Sequence, residues 1–399
     1  MRTIFLASVL MILINQLMFS QNQAVLDSAS KLIEQKQYET AFQLLDKEDP
    51  KNEQTQILIK KTDLLTNYFV TSINHVMFAL KNLEEDETVM DYRGKAGDYS
   101  MHPFDPDSLT RRLIKKKGSN FNLYRNLANY WFSVYMNYGD PPDNRKAPLD
   151  SVNKYSKLAI STGDSNYKTY YKRAFCQLMN DKYADAIANF KKSIQRNDDF
   201  AESHYNLAYA YVQINQFSNA LISANRAFEI YEDSIKKAEA ARMAGISLME
   251  LEQPDKAKLY LNKSLKLQPG NLNTLHNLLE TFFLEDNLSQ ADSLTKEIFA
   301  LQPGNPSVAD QIRNVYANNE SKQRFVQIMR QQLKQYDQPD VKGNIYFAMA
   351  KATMPDKLPK VKEYLLKAKD YFRESMPKDH YVFDVIDQAL QQIEQQRAE

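Results

Sequence analysis

Glycine, proline and cysteine are scarce in this chain, and each scarcity excludes something. Nine glycines and 14 prolines among 399 residues leave too few turn formers for an all-β sandwich or a glycine-rich phosphate-binding α/β fold. The long Leu, Lys, Ala, Gln and Glu stretches suit helix instead. A single cysteine, Cys176, rules out an internal disulfide, so stability must rest on packing. It lies inside the apolar stretch YYKRAFCQLM and is expected as a buried small hydrophobe. A charge excess is missing too: 51 basic and 50 acidic residues give a formal net charge of +1, so no overall field draws the chain to nucleic acid or anionic lipid.

Long hydrophobic runs are absent except at the start. Arg2 precedes an apolar run from Ile4 to Ile14, Asn15 and Gln16 interrupt it, and Ser20 offers a small residue for cleavage. The run is shorter than the ~20 apolar residues a spanning helix needs, so residues 1–20 are expected to be a cleaved signal peptide. No cysteine follows the run, which leaves no site for a lipid anchor. The expected product is exported, periplasmic or extracellular, with no stable membrane insertion.

The residue patterns of metal and catalytic sites are also missing. His75, His102, His204, His276 and His380 have no histidine partner three or four residues away, so no helix presents a paired metal face. Arg93-Gly94-Lys95-Ala96-Gly97 lacks the length and the Lys-Ser/Thr ending of a phosphate loop. The acid pairs Asp198/Asp199 and Asp140/Asp143 are of the kind common in turns, and nothing has the form of a nucleophile elbow. No cofactor, no metal and no enzymatic activity are expected.

What is present is a repeat. Ala174 and Ala208, Tyr183 and Phe217, and Ala186 and Ala220 are each 34 residues apart, as are Ala257 and Ala291, and Pro269 and Pro303. The step from Ala220 to Ala257 is 37, which implies three extra residues near Tyr231–Lys237. Each unit carries a small or compact residue in a first helix (Ala174, Ala208, Gly245, Leu279) and an alanine in a second (Ala186, Ala220, Ala257, Ala291). Small residues let antiparallel helices approach to about 8–10 Å. Tyr183, Ala186, Ile187, Phe190 and Ile194 form an apolar stripe at helical spacing. The string LQPGN, at Leu267–Asn271 and again at Leu301–Asn305, combines a helix-ending proline with a glycine suited to a left-handed turn.

These residues resemble the tetratricopeptide repeat family. The resemblance implies an all-α, right-handed α-solenoid of about six hairpins, with four clear repeats over residues 165–305 and two divergent ones over 306–373. Residues 374–399 are expected as a C-terminal capping helix, and residues 21–50 as an N-terminal hairpin, since Tyr38, Ala41 and Leu45 repeat the aromatic, small, apolar spacing. In the family the first helices line a concave groove that receives a peptide or a partner helix. Carried onto this sequence, the groove holds Lys168, Tyr171, Phe175, Tyr205, Tyr209, Arg242, Met249, His276 and Phe283. An alternative for Phe175 and Phe283 is packing between units. The family's carboxylate-binding Lys and Arg positions are filled here by Tyr171, Phe175, Glu239 and Met243, against a carboxylate clamp.

Residues 51–164 do not repeat. Helical stretches are expected at Glu53–Leu80, Phe121–Tyr138 and Leu149–Ile160, broken by an irregular segment at Glu84–Ser108. The expected function is an exported scaffold or adaptor for another protein. The alternative is a glycan- or nutrient-binding protein of the cell envelope that uses this insert, with Tyr130, Trp131, Tyr135 and Tyr138 as stacking aromatics.

Overall fold

The computed structural model describes residues 22–137 and 146–398. The signal-like segment, Tyr138 and the Asp140/Asp143 pair therefore lie outside the described residues. The chain divides into two compact units, the first ending at Ser203 and the second starting at His204.

The N-terminal unit opens with a hairpin of α1 (22–34) and α2 (Tyr38–Glu48), followed by α3 (Thr55–Tyr68). Strands β1 (Thr71–Ile73), β2 (Met77–Ala79) and β3 (Met101–Pro103) then form an antiparallel sheet in that order. Helices α4 (Pro106–Lys117), α5 (Phe121–Asn137), α6 (Lys146–Ser161), α7 (Tyr167–Leu178) and α8 (Tyr183–Arg196) complete the unit. The sheet corrects the expectation of a helical stretch from Glu53 to Leu80. The helix stops at Tyr68, and Thr71↔Ala79 and Ser72↔Phe78 pair across a turn at Asn74 and His75, whose φ angles are 50° and 55°. Two successive left-handed residues produce the reversal that a short hairpin needs.

The core of this unit joins α2, α3, α4 and the sheet through Phe42, Leu45, Leu58, Phe78, Phe104 and Leu113, all buried. One lysine is buried with them. Lys61 has a fully covered side chain and donates to Asp46 Oδ1 at 2.8 Å, to the Asp49 carbonyl at 2.7 Å and to Asn52 Oδ1 at 2.9 Å. Three protons meet three acceptors, so the buried ammonium is satisfied. Cys176 is 1% exposed, and burial pushes its thiol up to about 12.

Helix α9 (Ala201–Gln213) crosses into the second unit, which continues through α10 (Phe217–Ile230), α11 (Ser234–Glu250), α12 (Pro254–Leu267), α13 (Leu272–Leu284) and α14 (Leu288–Leu301). It ends with α15 (Pro306–Asn318), α16 (Lys322–Gln332), α17 (Pro339–Thr353), α18 (Leu358–Ser375) and α19 (Val382–Ala398). Neighbouring helices pack as antiparallel pairs, and first helices also pack on first helices: α11 on α13, α13 on α15, α15 on α17. These are the hairpins of an α-solenoid that the tetratricopeptide resemblance implies. The extra residues near Tyr231–Lys237 extend the start of α11, which has 17 residues against 13 in α13.

The small residues perform the packing expected of them. Ala186, Ala208, Ala220, Ala257 and Ala291 are fully buried, and a Cβ on Gly245 would lie 2.7 Å from Leu261 Cδ2. From α7/α8 to α15/α16 the turn inside each hairpin has one left-handed residue: Asp181, Asn215, Glu252, Asp286 and Glu320, with φ between 53° and 58°. Lys36, with φ 58°, occupies the same place between α1 and α2. In the LQPGN strings Asn271 and Asn305 each cap the following helix, and each donates to the glutamine three residues before it, Gln268 or Gln302, at 2.8 Å. Only the first glycine is left-handed: Gly270 has φ 73°, whereas Gly304 lacks a positive φ and sits against Asp340.

Candidate functional site

A cavity of about 680 Å³ in the N-terminal unit lies among α3, α5 and α7. A polar stripe on each helix builds it. On α3 the residues are Gln56, Lys60, Asp63 and Asn67, and on α5 they are Asn122, Arg125, Asn126, Asn129, Ser133 and Asn137. Helix α7 adds Lys168 and Lys172. Steps of three and four keep each set on one face of its helix.

Four cationic side chains, Lys60, Arg125, Lys168 and Lys172, face one carboxylate, Asp63, on this lining. Arg125 is partly neutralised from behind by Asp164, 3.7 Å away. Lys172 donates to Asn129 Oδ1 at 2.5 Å and lies over the Phe132 ring. Burial lowers its pKa to about 8; Asp63 opposes the shift, while Lys168 and Arg125 reinforce it. Burial also holds the Asp63 carboxyl above the usual carboxylate range, despite the four cations. Asn126 is 1% exposed and donates to Thr110 Oγ1 at 2.9 Å and Thr62 Oγ1 at 3.3 Å. Its carbonyl oxygen has no protein partner. A buried acceptor left unpaired costs about 1–3 kcal/mol.

Sequence reasoning missed this cavity, although its signal is legible afterwards in the amides and cations that recur at helical spacing across α3 and α5. Of the four aromatic residues offered for the alternative ligand site, the three described ones pack within the unit. Tyr130 is buried and donates to the His75 carbonyl at 3.3 Å, Trp131 Nε1 donates to Asp107 at 2.9 Å, and Tyr135 packs edge-on to Phe175. Phe132 lines the cavity, and those three do not.

The residues assigned to the groove fall into separate environments. Lys168 is exposed at the cavity mouth. Tyr171 and Phe175 belong to an aromatic cluster, Tyr171 meeting Phe200 at 5.1 Å and Phe175 meeting Phe132 at 5.5 Å. In the second unit Met249 and His276 are buried, and Phe283 packs edge-on to Tyr316 at 4.9 Å. Tyr205, Tyr209, Glu239 and Arg242 come together. Tyr205 is raised by burial and then by Glu239, Tyr209 is 39% exposed, and Arg242 donates to Glu239 at 2.6 Å. Among the described residues no cluster of His, Cys, Asp and Glu is arranged to hold a metal ion, and no helix is long and apolar enough to cross a membrane.

No protein-family model matches the chain. The human protein O-mannosyl-transferase TMTC3 is 26% identical over 215 residues, 45% of this chain and 23% of that protein, so the chain spans under a quarter of that relative's length. A tetratricopeptide repeat protein from Parabacteroides merdae is similar in structure over 68% of this chain and 98% of its own, with 14% identity and a TM-score of 0.44. The C-terminal part of a repeat protein of the same kind from Cytophaga hutchinsonii is similar over 70% of this chain and 92% of its own, with 12% identity and a TM-score of 0.40.

Proposed function

We propose that the chain is a protein-interaction scaffold acting outside the cytoplasm, and that the C-terminal unit receives a peptide or helix of its partner on its first helices. The observation that carries this reading is the cluster of Tyr205, Tyr209, Glu239 and Arg242 on α9 and α11. It joins a partly exposed aromatic pair to a charged pair at the surface. Tyrosine supplies a large contact area with few rotamers, and a charged neighbour fixes register. The signal-like residues 1–20 support export; the N terminus of exported protein, read by Edman sequencing, is expected near Gln21.

The test is affinity capture from native envelope fractions, comparing the wild type with a Tyr205→Ser/Tyr209→Ser variant of unchanged helicity. A partner retained by the wild type and lost by the variant supports the scaffold reading. Equal capture by both, or none by either, contradicts it.

A further inference from the structure

We infer that the cavity among α3, α5 and α7 is a binding site for a small hydroxylated carboxylate of the sugar-acid class, independent of any protein bound by the C-terminal unit. Its cations prescribe the anion. Lys60, Lys168 and Lys172 line the cavity with only Asp63 as an acidic neighbour on the lining, and among the described residues neither Lys60 nor Lys168 forms a salt bridge. An incoming carboxylate replaces mutual repulsion among the cations with attraction.

The rest of the lining prescribes what bears that carboxylate. Asn126 is covered and directed to Thr110 and Thr62, so a ligand meets the more accessible amides of Asn67, Asn122, Asn129 and Asn137, and a carboxylate cannot be a donor to their oxygens. An ammonium donor would sit among Lys60, Arg125 and Lys172 and be repelled, so the donor is neutral. A hydroxyl both donates and accepts, which matches the paired donor and acceptor of the Asn67, Asn122, Asn129 and Asn137 amides around it. At about 680 Å³ the cavity falls within the ~300–1,000 Å³ usual for small-molecule sites. A peptide held through side chains relies on deep apolar anchors, whereas Asp63, Thr66, Asn126 and Lys172 make much of this lining polar.

The test is calorimetric titration of the full chain with digalacturonate, with the neutral disaccharide cellobiose and with tetraglutamate peptide. Digalacturonate is expected to bind, with cellobiose and tetraglutamate each at least about tenfold weaker, a difference of ~1.4 kcal/mol. A Lys60→Gln/Lys168→Gln variant alters only cavity-lining cations without salt bridges. With unchanged circular dichroism and thermal midpoint, it is expected to weaken digalacturonate at least about tenfold. A second variant in the same unit, Lys115→Gln, removes an exposed lysine of α4 off the cavity lining and is expected to leave digalacturonate binding unchanged; an equal loss there would overturn the proposal. Equal binding of cellobiose makes the cations irrelevant and overturns the proposal. Preferential binding of tetraglutamate assigns the cavity to an acidic peptide instead and also overturns it, as does no binding of digalacturonate or undiminished binding by the double-lysine variant.

Discussion

At the scale of single residues, charge and burial meet most sharply at Lys61 on α3 and Lys172 on α7 in the N-terminal unit. Lys61 is fully covered and has all three protons engaged. Its replacement by Met keeps the volume but strands the Asp49 carbonyl and Asn52 Oδ1. Asp46, 49% exposed, regains water, so the expected loss is about 2–4 kcal/mol, below that of a wholly buried broken pair; urea unfolding monitored by circular dichroism measures it. Lys172 behaves oppositely. Its folded pKa of about 8 lies below that of an exposed lysine, so between roughly pH 8 and 10 the unfolded chain binds more protons than the folded one. The cost of burying the charge is present in full below that window and is relieved as pH rises through it. Relative to a Lys172→Met variant, the wild type should therefore gain stability from pH 7.5 to 9.5; a difference independent of pH would remove the assigned shift. Neither lysine announced itself in the sequence, because Lys60 and Lys61 are adjacent and only the phase of α3 sends one to the cavity lining and the other to the core. Cys176 was legible, since an apolar helical stretch on both sides left it nowhere but inside.

At the scale of elements, the hairpins were readable and the sheet was not. The alanines 34 residues apart mark the places where helices approach most closely, and they are fully buried. Gly245 stands in the same series, with its absent Cβ 2.7 Å from Leu261. Gly245→Leu should cost at least about 2–3 kcal/mol through overpacking, seen as a lowered thermal midpoint, whereas a neutral result would show that α11 and α12 can separate freely. The turns inside the hairpins repeat as well, but through backbone shape instead of residue type: Asp181, Asn215, Glu252, Asp286 and Glu320 share one conformation without a glycine among them. Glu252 is exposed and has φ 55°. Glu252→Gly removes a left-handed strain of ~1–2 kcal/mol and adds the chain entropy of glycine, about 0.5–1 kcal/mol. A net stabilisation of roughly 0.5–1 kcal/mol is expected in denaturant titration. The strands were hidden because each has only three residues, too few for alternation to stand out from the helical pattern beside them.

At the scale of the whole molecule, the two units pose different chemical problems. The N-terminal unit encloses a polar cavity between the non-repeating helices α3 and α5 and the first repeat helix, α7. The C-terminal unit repeats its hairpins around a continuous apolar core and leaves polar and aromatic side chains at the surface of its first helices. Repeats announce themselves because each unit must bury the same face against its neighbour. A cavity built once, from amides and cations that also suit a solvated helix face, has no such redundancy, which is why the repeat was legible and the cavity was not. The central claim concerns the first helices of the C-terminal unit, and hydrogen–deuterium exchange on the chain with and without its captured partner tests it most directly. Slowed exchange on residues 204–213 and 234–250, with the second helices at 217–230 and 254–267 unchanged, is the predicted result. Protection confined to those second helices, or none in this unit, would contradict it.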